Sequence, residues 1–167
     1  HHEAELAIVI GKECRGIALE DWKDYVFGYG CLLDMVVRGK EERVFRKAFD
    51  TFCPVGPWIV TADEVGDPTQ LDMKLWVNGD LKQHANTRDL VLDIPGMVQM
   101  AAAVMTLFPG DIIATGTPAG VGPVKNGDTI RITIERIGEM NVKVVQGTLG
   151  RTPVFEKPYT PDIIKQR

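Results

Sequence analysis

The sequence predicts a β-rich α+β fold. Three observations carry this expectation. Short apolar runs rich in β-branched residues recur along the chain, as at 3–11, 129–135 and 141–145. Gly and Pro are frequent, at 17 and 10 of 167 residues, so tight turns are many. Asn78-Gly79 stands between two strand-like runs and supplies the two positive-φ residues that a type I′ hairpin turn demands. The length suits one domain with a substantial core.

The elements follow in order. Residues 3–11 read as a strand, with Ala4, Leu6, Ile8 and Ile10 on the core face. Residues 19–26 place apolar side chains at helical spacing and predict a short helix. Residues 29–37 predict a second, largely buried strand. Residues 39–47 are charged and without clear period, which predicts a mobile or substrate-facing loop. Residues 49–61 carry Pro54, Gly56 and Pro57 and are expected to be irregular.

The hairpin joins 71–77 to 80–83. Asp93 followed by Pro95 starts a helix expected to reach about Leu107, before Pro109-Gly110 stops it. Its Met97, Met100, Ala101 and Met105 read as core filler. Residues 111–114 form another strand, and 129–135 with 141–145 a closing antiparallel pair. Residues 1–147 thus form the expected domain, and 148–167 a Pro-bearing tail.

Composition narrows the partners. A net charge of −4 and a pI near 5.4 argue against nucleic acid. No run approaches the roughly 20 apolar residues that span a membrane. Cys14, Cys31 and Cys53 are widely spaced and make no CxxC, so neither a zinc site nor a disulfide framework is indicated. A reducing cytoplasm is the expected location.

Glu3 and Glu5 are two apart and share one face of their strand. Asp34 lies in an apolar run about thirty residues later. Three carboxylates brought together would make an all-oxygen site for Mg²⁺, Mn²⁺ or Ca²⁺. The competing reading is a solvated acidic face on an edge strand. Arg38, Lys40, Arg43, Arg46 and Lys47 concentrate positive charge in one segment, which suits a small anionic substrate or a solvated loop. Lys47 precedes an apolar stretch and is a candidate partner for the acidic cluster or a substrate anion. Residues 115–122, Thr-Gly-Thr-Pro-Ala-Gly-Val-Gly, follow a strand directly. Their backbone N–H groups and threonine hydroxyls suit a carboxylate ligand, and an ordinary Gly-rich turn has the same composition. The histidines are weak candidates: His84 reads as exposed, and His1 and His2 are terminal.

Several stretches in order resemble the fumarylacetoacetate hydrolase family, in its C-terminal catalytic domain. They are Glu-Ala-Glu-Leu-Ala-Ile-Val-Ile-Gly at 3–11, Tyr-Val-Phe-Gly-Tyr-Gly-Cys-Leu-Leu-Asp at 25–34 and Lys-Ala-Phe-Asp-Thr-Phe-Cys-Pro-Val-Gly-Pro-Trp at 47–58. Val-Asn-Gly-Asp at 77–80 and Pro-Gly-Asp-Ile-Ile-Ala-Thr-Gly-Thr-Pro-Ala-Gly-Val-Gly at 109–122 follow. The branch resembled is that of acylpyruvases and 2-hydroxyhepta-2,4-diene-1,7-dioate isomerases. The resemblance implies a mixed β-roll, a cytoplasmic homodimer, and a divalent cation held by Glu3, Glu5 and Asp34. It implies that Arg38 and Lys47 face the substrate and serve catalysis, and that Gly116 and Thr117 lie where its carboxylate end binds.

The implied activity is hydrolysis of a C–C bond in a β-diketo or 2-oxo acid, of the acylpyruvate type. Decarboxylation or isomerisation of 2-oxo-dienedioates in aromatic catabolism is the alternative. A non-catalytic metal-binding β domain is the alternative of another class. Two departures stand out. The family's general-base histidine lies upstream of the Glu-x-Glu motif, where this sequence offers no segment, so no catalytic histidine is assigned. Glu41 stands where the family's hydrolases often carry glutamine, and Gly39 replaces a frequently acidic neighbour.

Overall fold

Alternating apolar residues line one face of a strand, and the chain buries such faces against each other. The computed structural model describes residues 1–147. Strand β1 (Ala4–Ile10) precedes a 3₁₀ segment at Leu19–Tyr25, then β2 (Val26–Leu33), the short helix α1 (Arg43–Lys47), β3 (Val55–Thr61) and α2 (Ala62–Val65). The hairpin β4 (Asp72–Val77) and β5 (Asp80–Asn86) leads to helix α3 (Ile94–Val104), then β6 (Ile112–Ala114), β7 (Thr129–Ile134) and β8 (Gly138–Lys143). Two four-stranded sheets result, ordered β3-β2-β1-β6 and β5-β4-β7-β8. Every pairing within them is antiparallel.

The two sheets share one core. Leu6, Ile8 and Ile10 of β1 join Tyr29, Cys31 and Leu33 of β2 there, with Leu75 of β4 and Ile130 and Ile132 of β7. Burying each large aliphatic side chain contributes roughly 1.5–3 kcal/mol. Trp58 of β3 ties the first sheet to the second by donating its indole N–H to Ile137 O at 2.8 Å. Gly138 is needed beneath that ring: its φ is +118°, and a Cβ there would lie 2.9 Å from the Trp58 side chain.

Several boundaries differ from the sequence expectations. The second strand spans Val26–Leu33 rather than 29–37, because the 3₁₀ segment ends at Tyr25 and Asp34 leaves the ladder. The charged segment at 39–47 is not all loop. Arg43–Lys47 make a helical turn capped by the Glu42 carboxylate, which accepts from Val44 N at 2.7 Å. Residues 49–61 end in strand β3 despite Pro57. The strand lies at a sheet edge, where a missing N–H is tolerated.

Helix α3 starts as expected, with the Asp93 carboxylate accepting from Gly96 N at 2.9 Å. It stops at Val104 rather than Leu107, because Leu107 exchanges both backbone hydrogen bonds with Cys14, at 2.9 and 3.0 Å. Its buried face is Ile94, Val98 and Ala102, while Met100 and Met105 are more than half exposed. The methionines at those two positions are therefore not core filler. The i, i+4, i+8 stripe is carried by Ile94, Val98 and Ala102 instead. The proposed tail at 148–167 lies outside the described residues.

Candidate metal centre and the loop beside it

Glu5 lies in strand β1 and Glu3 immediately precedes it, and their burial rules out a solvated edge face. Both are buried, at 7% and 3% exposure. The register explains how Asp34 reaches them. Ala4 pairs with Leu33 at the end of the ladder, so the residues just beyond it, Glu3 and Asp34, come opposite each other. Asp34 N donates to Glu3 O at 2.9 Å. Residues opposite one another on antiparallel strands share a face. One carboxylate oxygen from each of Glu3, Glu5 and Asp34 lies within 4.8 Å of the others.

Two cations offset this charge. Arg38 Nη2 donates to Glu3 Oε1 at 2.9 Å. Lys47, in the last turn of α1, donates from Nζ to Glu3 Oε2 at 3.0 Å and also to Asp34 Oδ2. Burial pulls the Lys47 ammonium toward neutrality, but its hydrogen bonds with Asp34 and Glu3 prevail and hold its pKa above the usual lysine value. Three carboxylates against two cations leave a formal charge of −1. Glu5 accepts from Gly116 N at 2.7 Å. Burial nonetheless pushes its carboxyl up to about 7, with Asp34 and Glu3 adding to the rise and the Gly116 bond and Lys47 opposing it. An all-oxygen donor set with residual negative charge fits a hard divalent cation.

The Gly-rich loop is fastened at both ends. Thr115 Oγ1 accepts from Leu6 N at 3.1 Å, and His2 N donates to Gly122 O at 3.0 Å. Gly120, with φ +100°, passes so close to β5 that a Cβ would fall 2.0 Å from Lys82 O. The loop therefore stands beside the carboxylates, joined to Glu5 through Gly116, with Thr117 half-buried next in line.

Sequence reasoning missed two buried polar residues here. Gln83 is 1% exposed and hydrogen-bonds to Ala4, His2, Thr117 and Pro118. His2 is also 1% exposed and packs into the same network rather than trailing at the surface. His84 is exposed, as expected, and pairs with Asp72 at 2.8 Å. Cys14, Cys31 and Cys53 are free thiols.

The family model "Fumarylacetoacetate (FAA) hydrolase C-terminal" matches residues 1–145. The chain belongs to the fumarylacetoacetate hydrolase family. It is 51% identical to the maleylpyruvate hydrolase of Aquipseudomonas alcaligenes over 143 residues, covering 86% of this chain and 50% of that one. The crystal structure of maleylpyruvate hydrolase from Sphingobium sp. SYK-6 in complex with manganese (II) ion and pyruvate is 76% identical. It superposes with a TM-score of 0.86, over 89% of this chain and 55% of that one.

A third family member is the 4-hydroxyphenylacetate degradation bifunctional isomerase/decarboxylase of Salmonella dublin, 39% identical over 150 residues, with 87% and 35% covered. The chain spans about half the length of the first curated relatives it matches. The fumarylacetoacetate hydrolase β-fold expected from the sequence is the one observed. Among the described residues, no helix is long and apolar enough to cross a membrane.

Proposed function

We propose that residues 1–147 are the metal-binding catalytic domain of a hydrolase that cleaves a C–C bond in a β-diketo or 2-oxo acid of the acylpyruvate type. The observation that carries the reading is the convergence of Glu3, Glu5 and Asp34 within 4.8 Å, beside Lys47, Arg38 and the Gly-rich loop. The manganese and pyruvate of the Sphingobium relative support the same cation class and product chemistry. The free thiols suit a cytoplasmic enzyme. A homodimer with neither nucleic acid nor membrane as partner accords with the acidic charge and with the family.

Glu3, Glu5 and Asp34 hold Mg²⁺ or Mn²⁺, with Ca²⁺ a compatible third. When bound, such a cation supplies a Lewis acid for the keto and carboxylate oxygens of a 2-oxo acid. The chain's own residues do the rest. Lys47 stays protonated between Glu3 and Asp34, and with Arg38 it places positive charge where an enolate develops as the C–C bond breaks. Thr117 donates its hydroxyl to the substrate carboxylate. Gly116, whose N–H is already given to Glu5, lets the loop backbone approach closely. Hydrolysis adds water across the bond and yields a 2-oxo acid and a carboxylic acid.

Titration calorimetry of chelator-stripped protein with Mn²⁺, then with oxalate as an enolate mimic, tests this reading. The expected result is oxalate binding that requires the metal. Absence of Mn²⁺ binding would remove the proposal. The isomerase/decarboxylase relative carries a second reading that shares the metal-enolate step. Product analysis separates the two, since only hydrolysis consumes water and splits the carbon chain without releasing CO₂. Metal binding with no turnover on any such acid would instead fit a non-catalytic metal-binding domain.

A further inference from the structure

We propose that Gln83 is a positioning residue that orients the Thr117 hydroxyl toward the substrate while clamping the carboxylate-bearing strand; this rests on the reading of Thr117 as a substrate contact. The Gln83 side chain lies wholly inside the protein, between the two halves of the site. Its Oε1 accepts from Ala4 N at 3.0 Å, at the residue between Glu3 and Glu5, and lies 3.1 Å from His2 Nδ1. Its Nε2 donates to Thr117 Oγ1 at 2.8 Å and to Pro118 O at 2.9 Å. All four hydrogen-bonding positions of the amide are used.

The orientation of that amide follows from its partners. A backbone N–H can only donate and a carbonyl can only accept, so Ala4 N and Pro118 O fix which end is oxygen and which is nitrogen. Two consequences follow. His2 must present a proton on Nδ1, because it faces an oxygen acceptor. Thr117 Oγ must accept from Gln83, so its own proton points elsewhere and is available to donate. A hydroxyl held as acceptor on one side is a pre-oriented donor on the other, the arrangement an anionic ligand requires. An apolar side chain at position 83 would leave that rotor free and orphan Ala4 N inside the core.

Gln83→Glu separates the two ends of the amide. The carboxylate still accepts from Ala4 N but cannot donate to Thr117 Oγ. Pyruvate affinity of the Mn²⁺-loaded chain should fall about tenfold at pH 8, while Mn²⁺ affinity stays within about twofold. Relative to the unaltered chain, pyruvate affinity should recover toward pH 6, as the buried carboxyl takes up a proton and can donate again.

In a Thr117→Val background the same change should cost less than about twofold, because the group it acts through is gone. An equal loss in both backgrounds, or a matching loss of Mn²⁺ affinity, would overturn the proposal. Thr117→Val binding pyruvate as tightly as the unaltered chain would instead overturn the substrate contact itself. A measurement without any change at position 83 guards against misfolding. With Mg²⁺ in place of paramagnetic Mn²⁺, the NMR signals of the Gln83 side-chain amide should shift when pyruvate is added. Unmoved signals would also overturn the proposal.

Discussion

Glu5 carries a sharp prediction at the scale of single residues. Its carboxyl titrates at about 7 in the metal-free fold, against roughly 4.3 in an unfolded chain. Between those values the folded state binds more protons. The associated stability is complete below about pH 4.3 and is lost as pH rises through 7. A cation replaces that proton, so apparent Mn²⁺ affinity should rise roughly tenfold per pH unit below 7 and level off above it. Thermal unfolding with and without Mn²⁺ between pH 5.5 and 8 measures this, and Glu5→Gln should flatten the profile.

Asp34→Ala should lower Mn²⁺ affinity by at least about tenfold, since it removes one of the three clustered carboxylates proposed to hold the cation. Lys47→Met should spare metal affinity and reduce turnover, as read by steady-state kinetics. The acidic pair was legible in the sequence because a strand puts alternate residues on one face. That Asp34 joins it came from the family resemblance and not from spacing, because the register that opposes Glu3 to Asp34 depends on how β2 pairs.

At the scale of elements, one bulge explains why Gln83 escaped detection. Leu75 pairs with Gln83 but Trp76 pairs with Leu81, so Lys82 is an extra residue on the strand. Leu81 and Gln83 have the same parity in sequence, yet Leu81 is half exposed and Gln83 is fully buried. Strict alternation would put both on one face. The Asn78-Gly79 hairpin was legible for the opposite reason, since its turn chemistry is local. Asn78 and Gly79 adopt φ of +52° and +89°, as a type I′ turn requires.

Helix α3 offers a paired test of its buried face. Ile94→Ala should cost about 2–5 kcal/mol, whereas Met100→Ala should stay within about 0.5 kcal/mol. Urea unfolding of both variants gives the comparison. The start of α3 was readable from Asp93 and Pro95. Its end was set by a distant backbone bridge to Cys14, which no local signal announces.

At the scale of the whole molecule, the two sheets meet through Trp58 as well as through the apolar core. Trp58→Phe keeps most of the ring and deletes the bond to Ile137 O, leaving that carbonyl to find water. It should cost about 1 kcal/mol and keep a single unfolding transition, visible by calorimetry. The β-rich class was legible from turns and alternating runs. The sheet order β3-β2-β1-β6 was not, because it joins segments far apart in sequence.

That order has a consequence for how the protein is made. Glu5 and its partner Gly116 are separated by 111 positions. At 5–20 residues per second, a ribosome needs about 5–20 s to pass from one to the other. For most of that interval, once it has cleared the exit tunnel, the acidic strand lacks the loop that steadies it and the edge strand β6 that pairs with its far end. Completion of the proposed cation site is therefore a late event in biogenesis, reached only once synthesis has passed Gly116.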